Sequence, residues 1–413
     1  MTIKHKILNF TGVLIVFLIC VCCSEDRTPL NIPEDVVIFE DGSSRYKVVR
    51  SEKANHAIIE FASKFKIKLN EASNCTIGIT LDNSDADSYE ILVGETNRVE
   101  SIKLYEDIKN LGSEGFIIRE NGNKLLVGGT NEYMIYRGLE YVLNQIKKGD
   151  SGKASLIFSN DFEYVSDNKI STPTPEDIIT SGKEFAMYPV EKVISLSRVN
   201  SFTVLQGGGT DGKYAYYAFL DKNTDTAVIV KIDIVTWKTV KISAPLNTGH
   251  TNDITYNPKL GKLVVNNSND AWFRVSFIDP ETLTETDSRV NTISSRGISY
   301  IEETDQYVLG GVFDFYITDS GFNLQKQFTC GNPQYTTQGL FCDGKYIYDA
   351  RYNSYDTTNY VTINSVDSKY WGTAAIPGVT GELENIFRIR NEFYIAYNKT
   401  FVVYRAILLP TNW

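Results

Sequence analysis

Gln206-Gly207-Gly208-Gly209-Thr210-Asp211-Gly212-Lys213-Tyr214-Ala215-Tyr216 and Gln338-Gly339-Leu340-Phe341-Cys342-Asp343-Gly344-Lys345-Tyr346-Ile347-Tyr348 align without a gap. Each reads as strand, Asp-Gly hairpin turn, strand, because Asp-Gly readily adopts the positive-φ corner of a tight antiparallel connection. Three further stretches share the pattern with different turns. They are Asn252-Asp253-Ile254-Thr255-Tyr256-Asn257-Pro258 leading to Leu263-Val264-Val265, Arg296-Gly297-Ile298-Ser299-Tyr300-Ile301 leading to Tyr307-Val308-Leu309, and Glu384-Asn385-Ile386-Phe387-Arg388-Ile389 turning into Phe393-Tyr394-Ile395. The marker positions Gln206, Asn252, Arg296, Gln338 and Glu384 are 46, 44, 42 and 46 residues apart. A period of roughly 40 to 45 residues filled with strands is the length of one four-stranded propeller blade.

The outer strands of these blades are supplied by runs such as Val228-Ile229-Val230-Lys231-Ile232-Asp233 and Phe277-Ile278-Asp279. The last copy runs out of residues near Trp413, so Val193-Ile194-Ser195-Leu196, ahead of the first copy, is expected to close the ring. Closure removes exposed sheet edges. Residues 185–413 are therefore expected to form an all-β propeller of five blades, with a sandwich or an unrecognised sixth blade as the alternatives.

Upstream, residues 32–166 alternate helical and extended patterns and are expected to form an α+β domain. Val36 to Phe39, Thr76 to Leu81 and Tyr89 to Gly94 read as strands. Ala57, Ile58, Phe61, Ala62 and Phe65 mark one face of a helix spanning Ser51 to Leu69, and a second helix runs from Arg98 to about Leu111. A hairpin follows, from Gly115 to Gly128, then a helix capped by Asn131 with Tyr133, Tyr136, Leu139, Val142 and Leu143 on its core side. Thr172-Pro173-Thr174-Pro175 marks a polar, helix-poor linker over 167–184.

Two resemblances follow from these residues. Tyr89-Glu90-Ile91-Leu92-Val93-Gly94-Glu95-Thr96-Asn97-Arg98, with Glu114-Gly115-Phe116 through Gly128-Gly129 and Tyr136-Arg137-Gly138-Leu139, resembles the small domain that precedes the catalytic barrel of family 20 hexosaminidases and α-glucuronidases. That domain is not the catalytic one, so the resemblance implies a carbohydrate context without an active site. Gly249-His250-Thr251-Asn252-Asp253-Ile254-Thr255-Tyr256-Asn257-Pro258-Lys259, with the two Gln-Gly copies, resembles secreted bacterial propellers, some labelled teichoic-acid biosynthesis proteins.

At the start of the chain, Lys4 and Lys6 precede an apolar run from Ile7 to Cys22. This run, interrupted by Asn9, Thr11 and Gly12, falls short of the roughly 20 apolar residues that span a bilayer. It is expected to be a lipoprotein signal peptide over 1–22, with Cys23 lipidated and a tether over 23–31. Cys20 stands where Leu is usual three residues upstream, so Cys22 remains an alternative acceptor. Cys23-Ser24-Glu25-Asp26 resembles the acidic stretch that sends many lipoproteins of the Bacteroidota to the outer face of the outer membrane. A lipid is then the only expected membrane attachment. A net charge of -10 gives no basic footprint for nucleic acid. Beyond the signal only Cys75, Cys330 and Cys342 remain, which leaves one Cys330–Cys342 bridge open. No cofactor or metal is expected, because no His, Cys, Asp or Glu cluster has ligand spacing.

In a propeller, the residues leading into the innermost strands surround one mouth of the central channel. Gln206, Asn252, Arg296, Gln338 and Glu384 are all polar, and Tyr256 and His250 stand nearby in sequence. The expected partner is an oligosaccharide or polysaccharide, bound by Gln206, Asn252, Tyr256, Arg296 and Gln338. Arg296 suits a uronate. If catalysis occurs, Asp253 with Glu384 is the carboxylate pair for hydrolysis, while His250 or Tyr256 with Arg296 and Asn252 suits a lyase. A structural or protein-binding propeller, whose polar residues only bond neighbouring blades, stays open beside these readings. Trp272, Tyr352, Tyr355, Tyr360 and Trp371 are expected to pack between blades, with sugar stacking as the alternative.

Cys23→Ser is expected to leave the protein unlipidated and to release it from the membrane fraction on cell fractionation. Retention of the substituted chain with an uncleaved Ile7 to Cys22 segment would instead identify that segment as the anchor.

Overall fold

The computed structural model describes residues 35–149, 152–166, 170–267, 274–331, 335–355 and 357–411. The expected signal, tether, Cys23 and Trp272 lie outside the described residues. No described helix is long and apolar enough to cross a membrane.

The first unit contains β1 (Val36–Phe39), β2 (Lys47–Arg50), α1 (His56–Ser73), β3 (Gly78–Leu81), β4 (Glu90–Val93) and α2 (Val99–Ile108). It continues with β5 (Phe116–Asn121), β6 (Lys124–Gly129), α3 (Glu132–Asn144), β7 (Lys147–Lys148), β8 (Ala154–Phe158) and β9 (Glu163–Val165). Its main sheet has the order β3-β2-β4-β6-β5-β9, and β2, β3, β4 and β6 run parallel. Successive side chains of a strand point to opposite faces. Val48, Ile91, Val93 and Val127 accordingly meet α1 and α3, while Val49, Leu92 and Leu126 meet α2. The unit expected to be α+β is thus an alternating α/β layer with helices on both faces. The reason is β2, which is buried on both sides and only four residues long, so it carries no alternating signal. Helix α1 starts at His56, five residues after the expected Ser51, because the Asn55 side chain accepts the Ile58 N–H and caps it. Asn131 caps α3 through the Met134 N–H.

The stretch expected to be helix-poor holds α4 (Pro175–Thr180), started by a capping box between Thr174 and Asp177 with Pro175 in the first turn. Ile178 and Ile179 bury themselves against the strands that follow.

Those strands begin with β10 (Phe185–Ser195). Five runs of strands come next. The first holds β11 (Val204–Thr210), β12 (Tyr214–Asp221), β13 (Thr226–Asp233) and β14 (Lys238–Ile242). The second holds β15 (Asp253–Asn257), β16 (Lys262–Asn267), β17 (Arg274–Ile278) and β18 (Glu285–Val290), and the third β19 (Gly297–Ile301), β20 (Gln306–Gly310), β21 (Asp314–Asp319) and β22 (Leu324–Thr329). The fourth holds β23 (Thr336–Cys342), β24 (Tyr346–Asn353), β25 (Thr358–Ser365) and β26 (Tyr370–Ala375), and the last β27 (Leu383–Ile389), β28 (Glu392–Tyr397) and β29 (Val402–Pro410).

The first three runs are separate four-stranded antiparallel sheets, while the last two join in one eight-stranded sheet, β23-β24-β25-β26-β10-β29-β28-β27. Strand β10 pairs along β29 from Phe185–Pro410 to Ser195–Val402 and meets β26 only at Ala186–Ala375. A strand from ahead of the first run therefore completes the last, and the expected Val193 to Ser195 segment is its end. The leading strands β11, β15, β19, β23 and β27 lie side by side in that order, with β27 returning to β11. The arrangement is propeller-like.

The repeated Asp-Gly turns have a shared physical cause. Asp211 accepts the N–H groups of Lys213 at 2.8 Å and Tyr214 at 2.6 Å, and the hydroxyl of Tyr216 at 2.7 Å. Asp343 does the same for Lys345, Tyr346 and Tyr348 at 3.0, 2.7 and 3.1 Å. One carboxylate thus fixes the turn and ties it to the strand after it. Cys330 and Cys342 are both buried free thiols, so the bridge left open by the sequence is not made.

The leading strands approach one another too closely for side chains at some positions. A Cβ on Gly207 would stand 2.4 Å from the Asp253 Cα and 2.6 Å from its N. Gly207→Ala is expected to cost about 3 kcal/mol, since backbone rather than a flexible side chain must move. Gly78→Ala, with nothing within 4 Å of the added carbon, is expected to change stability by less than about 0.5 kcal/mol. Urea denaturation of the two variants checks the contrast.

Candidate functional site at the near mouth

The five leading strands all begin at the same end of the ring, here called the near mouth. One residue beyond the marker positions Gln206, Asn252, Arg296, Gln338 and Glu384 lies a layer made of Gly207, Asp253, Gly297, Gly339 and Asn385. Three glycines leave room on the axis for the two larger side chains. Asp253 is fully buried, and its Oδ2 accepts the N–H of Ile298 at 2.9 Å and of Leu340 at 3.0 Å. Its Oδ1 accepts the N–H of Ile254 at 2.9 Å and the Asn385 amide at 3.4 Å, and that same amide donates to the Gly208 carbonyl at 2.5 Å. Burial pushes this carboxyl well above the usual carboxylate range, and the amides of Ile298, Ile254 and Leu340 pull it back. The next residues along the strands, Ile254, Ile298, Leu340 and Ile386, turn away into four separate apolar clusters between the sheets.

The axis is therefore closed at the level of Asp253 and Asn385, which changes the roles expected from sequence. Asp253 meets no solvent and pins three sheets together, so it is not available as half of a hydrolytic pair. Tyr256 lies three residues beyond Asp253, about 10 Å along the strand at roughly 3.3 Å per residue. It lines a separate cavity of about 470 Å³ at the far mouth, with Thr210, Tyr300, Phe341, Phe387 and Arg388. Tyr256 thus stands apart from His250 and Arg296 and cannot share their ligand.

The other expected residues do gather at the near mouth. Gln206, Asn252 and Glu384 are buried, while Arg296, Gln338 and His250 are half-buried. The Gln206 amide donates to the Leu205 carbonyl at 3.0 Å. Gln338 Nε2 donates to Glu382 Oε1 at 2.9 Å. Sequence reasoning missed Glu382, which sits two residues ahead of the marker and outside the repeat. Glu384 bonds with Glu382 and Asn398, yet its Oε1 has no partner among the described residues. Burial, then the Glu382 charge, hold its carboxyl well above the ordinary range. The Arg296 guanidinium lies in the field of His250 together with Glu382, Asp225 and Lys222. It makes no hydrogen bond or ion pair with any described side chain. Burial lowers the His250 pKa, so the ring is neutral at pH 7.

At the far mouth, Arg388 binds Glu176 of α4 at 2.5 Å and Asp343 at 3.2 Å, which straps the segment between the two units across that end. The partners lie 212 residues apart, so no local signal announces them. Of the aromatic residues, Tyr352 is buried, Tyr360 stacks on Tyr335 at 4.8 Å, and Trp371 packs edge-on to Tyr346. Only Tyr355 among these is fully exposed, at 99%.

No protein-family model and no curated protein matches this chain. Among solved structures it is similar to glutaminyl cyclase of Myxococcus xanthus, with 10% identity and a TM-score of 0.42 over 56% of this chain and 99% of that one. It is also similar to the β-propeller domain of Cps50 (Swd1) of Myceliophteria thermophila, with 8% identity and a TM-score of 0.31 over 50% and 65% of the two chains. For hydrazine synthase of Kuenenia stuttgartiensis the values are 12% and 0.32, over 60% and 67%. The fold described above stands on strand pairing and not on these likenesses.

The Glu384 carboxyl gives a pH signature. Its folded pKa is raised above an unfolded value of about 4.3, so the stabilisation of the protonated form is complete below that value and is lost as pH rises through the folded pKa. Glu384→Gln keeps the shape of the neutral acid and removes this loss. Relative to wild type, the variant is expected to gain in Tm progressively as pH rises from 4 to 8. A parallel offset at all pH values would show that Glu384 is not titrating in this way.

Proposed function

We propose that the chain is a lipid-anchored surface protein, held at the outer membrane through Cys23, whose 185–413 portion is a five-bladed β-propeller binding an extracellular glycan at its near mouth. The unit over 32–166 accompanies it as an accessory domain. The observation that carries this reading is the buried Glu384 Oε1, without a partner among the described residues, at the same mouth as a neutral His250 and an Arg296 that pairs with no described side chain. Folded proteins satisfy nearly all buried polar groups internally. Groups of opposite character left open at one mouth suit the hydroxyls and carboxylates of a sugar chain.

Binding is preferred over hydrolysis on geometry. Asp253 is sealed in the axis, and Glu382 lies within hydrogen-bonding reach of Glu384, whereas glycosidase carboxyls stand roughly 5 to 9.5 Å apart. A lyase is the second reading, favoured by the neutral His250 in the field of Arg296. In it His250 takes the proton next to a uronate carboxylate that Arg296 neutralises.

Purified protein incubated with neutral and acidic polysaccharides is expected to retain an acidic glycan without releasing reducing ends or unsaturated uronate. Arg296→Ala is expected to weaken retention at least about tenfold, the effect of losing one charge-assisted contact. Unsaturated product that disappears in His250→Ala would establish the lyase, and retention indifferent to both substitutions would remove the near mouth as the site.

A further inference from the structure

The first unit has a cavity of its own, at a place its topology singles out. Strand β2 leaves the sheet through α1 toward β3, whereas its neighbour β4 leaves through α2 toward β5 on the other side. Helices α1 and α2 accordingly pack on opposite faces, so their starting loops diverge and leave a crevice beyond the carboxyl ends of β2 and β4. In open α/β sheets this change of direction is where ligands bind. A cavity of about 530 Å³ lies there, lined by residues that follow β2, β3, β4 and β6, and its size is that of a small-molecule site.

The walls of the crevice are fixed from within. The buried Asp82 carboxylate accepts the N–H of Glu52 at 2.9 Å and of Asn97 at 2.8 Å, which ties the loop after β2 to the loop after β4. Asn55 Nδ2 donates to Glu132 Oε1 at 2.8 Å and so joins the starts of α1 and α3. Ile58, Ile135 and Tyr105 converge over Gly94, where an added Cβ would stand 3.5 and 3.7 Å from the two isoleucine side chains and 4.0 Å from the tyrosine hydroxyl. They form an apolar floor with one hydroxyl in it. Tyr105 lies in the field of Glu95 and Glu132, which line the same cavity. Glu95 and Lys53 are exposed at the rim and pair with no described side chain. Asn97, also exposed, gives its Oδ1 to Arg98 at 3.2 Å and keeps its amide N–H donors.

We propose that this crevice is a second binding site, for an uncharged sugar unit held by Glu95, Asn97 and the Tyr105 hydroxyl over the floor of Ile58 and Ile135. It goes beyond the near-mouth reading and does not depend on it. The rim offers acceptors on Glu95 and donors on Asn97 and Lys53 side by side, and a sugar hydroxyl is both donor and acceptor. A phosphate, which helix starts commonly hold, would face the carboxylates of Glu52, Glu95 and Glu132. A multiply charged cation would face Lys53 and the positive ends of α1, α2 and α3. A ligand without net charge avoids both costs, and the C–H face of a sugar ring suits the apolar floor.

The test is calorimetric titration and hydrogen-exchange mass spectrometry of the whole chain with N-acetylglucosamine, glucose, galactose, mannose, adenosine monophosphate and spermidine. At least one of the sugars is expected to bind and to slow exchange over residues 51–55, 95–101 and 129–134. Glu95→Ala is expected to weaken that binding at least about tenfold, as loss of a hydrogen bond to a charged group implies, and Tyr105→Phe about fivefold, as loss of a neutral one implies. Glu95 is exposed, so its variant keeps the fold. Protection confined to residues 250–254 and 382–385 would overturn the crevice and leave the near-mouth reading standing. Protection of the crevice by adenosine monophosphate or spermidine in place of the sugars would overturn the ligand class. If none of the sugars slows exchange there, the proposal falls.

Discussion

Everything in the ring depends on a carboxylate placed where three sheets meet. Asp253 accepts backbone N–H groups from β19 and β23 as well as from its own strand, and it is fully buried while doing so. A buried acid without donors would cost several kcal/mol; with backbone amides aimed at it, it becomes a node that holds strand ends in one register. The node exists only because Gly207, Gly297 and Gly339 leave the axis empty at that level. A Cβ at Gly297 would stand 2.7 Å from the Leu340 side chain, and one at Gly339 would stand 2.8 Å from the Glu384 carbonyl. A similar tie recurs two residues further along the strands. Thr255 accepts the Tyr300 N–H at 3.0 Å, and Ser299 accepts the Cys342 N–H at 2.9 Å.

Filling the axis decides where chemistry is available. Below the leading layer Thr255 and Ser299 are spent on strand-to-strand bonds. Ahead of it, at the near mouth, Gln206 and Glu384 have lost nearly all of their solvent. Glu384 is the extreme case, 3% exposed with an oxygen that has no partner among the described residues. The far mouth differs in kind, because Arg388 there is already neutralised by Glu176 and Asp343. The charge of Arg388 is closed within the protein, whereas no described side chain pairs with Arg296.

The ring was legible in sequence because its turns are chemically specific. Asp-Gly-Lys-Tyr-x-Tyr encodes a turn carboxylate, two backbone donors and a tyrosine hydroxyl within six residues, so a gapless match carries a full local structure. The polar character of the markers was legible for the same reason of register. What sequence could not supply was depth. Asp253 and Asn252 are adjacent, yet one faces the axis and the other the mouth, and only the glycines on neighbouring strands explain why. Tyr256 was grouped with His250 by nearness in the chain, although a strand carries it about 10 Å away at roughly 3.3 Å per residue. In the first unit the loss was β2: four residues buried on both faces lack a period, and without that strand the parallel crossovers cannot be recognised.

Strand β10 joins the two units energetically as well as in sequence. On one side it completes the last sheet through β29. On the other, Ala186, Tyr188 and Val190 belong to the same core as α1 and α3, and the Tyr188 ring meets Phe61 at 5.5 Å. The residue that closes the ring is thus also a residue that completes the first domain's helical face. Separating the units would expose that apolar surface and loosen the strand that seals the sheet edge, so the two are expected to unfold in one cooperative step where a free linker would permit two. The near mouth includes Glu384 on β27, in the very sheet that β10 completes. The first unit therefore supports the site without touching it, by holding in place the strand on which the geometry of Glu382 and Glu384 depends.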